Sequence, residues 1–194
     1  NLMTTLTSAK ANPLTEASWL KLAFWVVLYQ IGWFWSQMPR VVNEGALIDT
    51  DDYQRLSEVR AWMGGQCWYD LVNHRMNPPA GADMHWSRLV DVPLWLLIRF
   101  FDLFTDTVTA ERLVTIVWPA LLLIATVLVV VAICRRLDPQ SAPLLALLFT
   151  VTCITALSEF MPGRIDHHSV QILLFSLMLL GIVSGRLWWG HLLL

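Results

Sequence analysis

The chain has 194 residues, of which 56% are hydrophobic and 14% charged, with a formal net charge of -2. A mean hydropathy of +0.55 takes it out of the range of an ordinary soluble domain, and the near-neutral balance gives no basic footprint for nucleic acid. Three cysteines, Cys67, Cys134 and Cys153, are widely separated, and two lie in apolar blocks, so neither a disulfide framework nor a CxxC metal pair is indicated.

In chain order, residues 1–18 are small and polar. The first apolar block, 19–38, has Trp19, Trp33 and Trp35 placed as interface anchors and reads as a membrane span. A cleaved signal peptide is the rival reading, but it would have a shorter apolar region and a small-residue cleavage site directly after it. Residues 39–110 form a long first external loop. Within it, 51–63 places Tyr53, Leu56, Val59 and Met63 on one helical face, with Asp49 or Thr50 as cap. The stretch 89–104 is apolar but short, and it carries Asp91, Arg99 and Asp102, which fits an interfacial or loop-buried helix.

A second span covers 111–134 and is closed by Arg135 and Arg136; a turn at 138–143 leads to a third span at 143–158. A short second loop, 159–169, precedes a last span at 170–189, where Gly181 and Gly185 have GxxxG spacing and Trp188-Trp189 reads as an interface belt. The fold expected is therefore all-α, a polytopic transmembrane helical bundle with a long extracytoplasmic first loop. Because the chain starts without Met and stops inside an apolar run, it reads as the amino-terminal part of a longer protein, its carboxy-terminal part absent. If Lys10, Lys21, Arg135 and Arg136 mark the cytoplasmic side, 89–104 does not cross, and both loops face outward.

Two clusters in those loops have chemical content. Asp49, Asp51 and Asp52 crowd one helix start; capping accounts for one of them, and three in four positions make a cation attractive. The segment Gly-Arg-Ile-Asp-His-His (163–168) offers Asp166 and His168 two positions apart on a loop, an oxygen and an imidazole suited to Mn²⁺, or to Mg²⁺ with waters. His167 would point elsewhere and cap the next helix. Arg164 is placed to bind a leaving phosphate, with a solvated loop charge as the plain alternative; His85-Trp86 reads as a substrate contact or as a hydrogen-bonded structural pair.

The order of these features carries a resemblance. A span is followed by Asp51-Asp52-Tyr53, then Arg60 nine positions after Asp51. A stretch from Trp86 to Asp91 enters an apolar helix; a span containing Pro119 ends in Arg-Arg-Leu, and a further span ends in Gly-x-x-Asp-His-His. Over roughly residues 20–190 this resembles the amino-terminal half of oligosaccharyltransferase catalytic subunits of archaeal style, within the GT-C membrane glycosyltransferases. The resemblance implies a metal-dependent glycosyltransferase moving a sugar or oligosaccharide from a polyprenyl-phosphate-linked donor to a protein, lipid or glycan acceptor. The setting it implies is the extracytoplasmic face of a bacterial or archaeal plasma membrane.

It also implies roles. Asp51 binds the metal and engages the acceptor, and Asp166 and His168 complete the metal site. Arg60 falls on a basic position of the family; apart from the resemblance, Arg164, His167, Arg60 and His85 are the candidate substrate contacts. Asp52 departs from the small residue or Pro usual at its position, so the catalytic register between Asp51 and Asp52 stays open. The rivals are a GT-C monosaccharide transferase acting on lipid or polysaccharide, and a non-enzymatic transporter component. Transporters put ionisable groups near the membrane midplane, whereas these apolar cores are nearly free of acids.

Overall fold

The computed structural model describes residues 16–137 and 152–185. The expected turn at 138–143, most of the third span and the end of the fourth, with Trp188-Trp189, lie outside the described residues. What is described is mostly helical: α1 (Glu16–Trp33), α2 (Thr50–Met63), α3 (Arg88–Asp102), α4 (Thr107–Leu137), a short α5 (Ile154–Ser158) and α6 (His168–Val183). A two-stranded antiparallel hairpin, β1 (Val72–Asn73) and β2 (Ala82–Asp83), lies between α2 and α3.

α4 is the axis of the structure, and α1, α3 and α6 all pack on it. Its buried side is a run of Ala110, Val114, Trp118, Leu122, Leu123, Val127 and Val131, which α3 meets with Leu94 and Ile98 and α1 with Val26. The spacing of these residues at three and four positions is what a helix needs to present one apolar stripe. Among the described residues α4 is the one helix long and apolar enough to cross a membrane, and only 33% of its apolar window is buried. Most of the remaining residues of that window are half-buried, and Leu121 is the exposed one. α1 and α6 contribute shorter apolar stretches, Phe24–Trp33 and His168–Val183.

Pro119 sits inside α4. A proline lacks the N–H that would bond to the carbonyl four residues back, which leaves the carbonyl of Thr115 without its helical partner. The N–H of Gly163 fills that vacancy at 2.8 Å and anchors the second loop to the helix. Gly163 has φ +94°, and a Cβ there would stand 3.2 Å from both Val41 and Ile48. Glycine is therefore required twice at this anchor, for conformation and for space.

α3 occupies the expected 89–104 stretch as an amphipathic helix, with Leu89, Leu96 and Phe100 exposed and Asp91 buried. The charges that made the stretch unattractive as a span are resolved in two ways. Arg99 and Asp102 lie 3.8 Å apart on an outer face, and Asp91 is enclosed by Arg55 and Arg88. In α2, Leu56 and Val59 are buried as expected, but Tyr53 is 52% exposed. Its hydroxyl instead accepts the N–H of Leu47 at 3.0 Å, because the start of α2 lies at the rim of the core.

Candidate active site

The start of α2 is a capping box. Asp49 Oδ1 accepts from the N–H of Asp51 at 3.4 Å, and Asp52 Oδ2 reaches back to the N–H of Asp49 at 3.0 Å. The other oxygen of Asp52 crosses to the second loop and accepts the N–H groups of Ile165 at 2.7 Å and Asp166 at 3.0 Å. One fully buried carboxylate thus binds three backbone donors from two loops more than a hundred residues apart in sequence. The acidic helix start and the Asp-His-His loop form one cluster.

Arg164 ties the cluster a second time. Its Nη1 lies 3.1 Å from Asp49 Oδ2 and 3.7 Å from Asp52 Oδ2; its Nη2 bonds Glu159 and lies 3.3 Å from Asp166 Oδ2. Burial opposes the charged guanidinium, but Glu159, Asp166 and Asp52 more than offset it and hold its pKa above the ordinary value. Asp49 is held below the usual carboxylate range by the Thr50 hydroxyl, the Asp51 N–H and Arg164.

Burial pushes Asp52 up to about 6, against the pull of the loop N–H groups and Arg164. A raised native pKa means that the folded state holds the proton more tightly than the unfolded chain. The stability this group contributes is complete below about pH 4 and is lost as pH rises through about 6. The stability difference between the wild type and Asp52→Asn, measured by thermal unfolding across that window, is expected to fall with rising pH; a flat difference would contradict the raised value.

Asp51, the other candidate for the catalytic register, is half-buried. Among the described residues its carboxylate has no hydrogen-bond or ion-pair partner, so only Asp52 of the two is consumed by the fold. Asp166 is 1% exposed, and its Oδ1 accepts the N–H of His168, the first residue of α6, at 3.1 Å. His168 is partly exposed, with Nε2 at 3.8 Å from Asp166 Oδ2 and Nδ1 at 3.3 Å from Gln171 Oε1. His167, expected to cap this helix, makes no such bond; its ring lies 4.5 Å from that of His168 and 5.6 Å from that of Trp86. Burial, His168 and Arg55 all lower the pKa of His167 and favour the neutral ring.

Two expected substrate contacts stand apart from the cluster. Arg60 holds Glu111 of α4 with a bidentate pair, Nε to Oε1 at 2.9 Å and Nη2 to Oε2 at 2.5 Å, so its guanidinium is engaged in fastening α2 to α4. His85 is exposed and meets Trp86 edge-on, with no hydrogen bond between them. Trp86 is the residue of that pair that reaches the site. Arg55 lies 4.6 Å over its ring, and the same guanidinium bonds Asp91 at 2.8 Å. The chain of contacts Asp91, Arg55, Trp86, His167, its first two members buried and its last two half-buried, was missed in reading the sequence because nothing in the spacing of four residues on separate elements marks it.

Among the described residues, no three His, Cys, Asp or Glu side chains are gathered into a set that would hold a metal ion. The two expected second-loop ligands are nonetheless near neighbours. With bonds of about 2.1 Å, two ligands on one octahedral ion stand either roughly 3.0 Å (cis) or roughly 4.2 Å (trans) apart; Asp166 Oδ2 and His168 Nε2 are 3.8 Å apart, so the exposed His168 ring would have to shift to complete either arrangement. A mixed oxygen and nitrogen pair with open positions for water suits Mn²⁺ or Mg²⁺ better than a closed structural site.

Comparison with protein-family models, with curated proteins and with solved structures finds no match for this chain.

Proposed function

We propose that this chain belongs to a polytopic membrane glycosyltransferase of GT-C type. It would transfer a sugar or oligosaccharide from a polyprenyl-phosphate-linked donor on the extracytoplasmic face, with a divalent cation, Mn²⁺ or Mg²⁺. The observation that supports the reading is the join made by Asp52, which ties the start of α2, where Asp51 also lies, to the loop that carries Asp166 and His168. An ion held there would neutralise charge developing on the departing phosphate. In this reading Asp51, unpartnered and half-buried, receives the acceptor and takes its proton. Asp166 and His168 hold the donor's phosphate end through the ion, and neutral His167 lines the approach. Asp52 is a positioning residue, since its oxygens are occupied by backbone donors.

The test is release of polyprenyl phosphate from a short-chain polyprenyl-phosphate-linked sugar by the detergent-solubilised chain, with the sugar passing to water or an added alcohol acceptor. Release should require Mn²⁺ or Mg²⁺ and fall about 100-fold or more in Asp51→Ala, while the melting temperature stays near that of the wild type. Full release after chelation, or an active Asp51→Ala variant, would sink the assignment.

A further inference from the structure

Four carboxylates, those of Asp49, Asp52, Glu159 and Asp166, converge on the single guanidinium of Arg164. The residue is 8% exposed, and its Nε is buried with no hydrogen-bond partner among the described residues. One positive group among four acids leaves much of their mutual repulsion unrelieved. The oxygen at issue is Asp166 Oδ2, which lies 3.3 Å from Arg164 Nη2 on one side and 3.8 Å from His168 Nε2 on the other. Any ion taken up between Asp166 and His168 therefore shares a carboxylate oxygen with a guanidinium already in place.

We infer that Arg164 is the resident counter-cation of this cluster, and that it competes with a divalent cation for Asp166 and yields that oxygen when the ion arrives. The inference rests on the metal-dependent reading above and adds a second state to it. A guanidinium and a dication a few ångströms apart repel strongly in a partly buried site, and each weakens the other's hold on the shared oxygen. The coupling is reciprocal, so the ion must loosen Arg164 as much as Arg164 loosens the ion. Nη1 still has Asp49 and Asp52, and Nη2 still has Glu159, so release from Asp166 does not free the side chain altogether. The arrangement keeps the two loops joined without an ion at the expense of ion affinity.

The experiment is Mn²⁺ binding to the detergent-solubilised full chain without donor, followed by loss of the free-ion electron paramagnetic resonance signal. Arg164→Gln removes the charge and keeps most of the stem, and Arg164→Ala removes both. Both should bind Mn²⁺ about tenfold or more tighter than the wild type, whereas Arg164→Lys, which keeps the charge, should stay within about threefold. Circular dichroism on the same samples identifies a variant that has not folded, and Arg164→Gln carries the comparison if Arg164→Ala does not fold. Binding by a folded neutral variant no tighter than wild type overturns the inference while leaving the metal reading in place. An Arg164→Lys gain equal to that of Arg164→Gln overturns it as well, since charge would not be the cause. Absence of Mn²⁺ binding in every variant, wild type included, removes the inference and the metal reading together.

Discussion

Asp52→Ala is expected to destabilise the chain by about 3–6 kcal/mol and to abolish transfer with it, since two or three buried N–H groups lose their acceptor at about 1–3 kcal/mol each. Ile165 and Asp166, whose amides bond Asp52 Oδ1, are each 1% exposed, so water does not readily replace the carboxylate. The third donor, Asp49 N–H, belongs to the cap of α2 and has easier access to solvent. Arg164 loses one of its four acids in the same substitution, which softens the second tie between the loops. Asp52→Asn should fall between wild type and Ala: its amide oxygen serves the loop donors, but its NH₂ faces the Asp49 N–H. Thermal unfolding in detergent measures the series, and Asp51→Ala is the control, expected within about 0.5 kcal/mol of wild type because its carboxylate holds nothing in place. Equal losses for Asp51→Ala and Asp52→Ala would refute the division of labour between the two neighbours.

The second large effect belongs to Arg55. Its side chain is 1% exposed and bonds Asp91 at 2.8 Å, while Arg88 reaches the same carboxylate only at 3.8 Å. Burial pushes the Asp91 pKa up, and Arg55 contributes most to restraining it. Arg55→Met should therefore strand a buried carboxylate, at about 3–5 kcal/mol. It also removes the cation from the face of Trp86, a contact of about 0.5–2 kcal/mol. The double variant Arg55→Met/Asp91→Leu removes both charges and should recover much of the loss. Chemical denaturation of the four proteins gives the coupling directly, and strict additivity would show that the pair does not act as one unit. Trp86 packs at a tilt against His167, so loosening Arg55 is felt at the candidate site without any contact to substrate.

Much of the helical arrangement was legible from pattern alone. The acidic start and apolar face of α2, the short amphipathic α3 and the long apolar α4 follow from spacing, composition and length, which are local properties. The site was legible only in pieces. Asp49 as a cap is a local signal, and so is Asp-His-His ahead of an apolar helix. That Asp52 grips the backbone of the second loop depends on a contact spanning 113 positions, which periodicity does not encode. The same limit explains Arg60, whose partner Glu111 lies 51 residues away, and Trp86, whose importance comes from lying between Arg55 and His167. His167 was misjudged for a local reason: Asp166, not His167, supplies the acceptor for the first turn of α6. An aspartate two residues before a helix start competes well for that place.

Pro119 fixes a height. By releasing the Thr115 carbonyl, it makes the second loop fasten eight residues into α4, which at 1.5 Å per residue is about 12 Å below the start of the helix at Thr107. The second loop is thus moored just past the charged pair of α4, Glu111 and Arg112, at the start of a stretch that carries no charge until Arg135. A single missing N–H in a helix thereby sets how far along α4 the Asp-His-His loop is held.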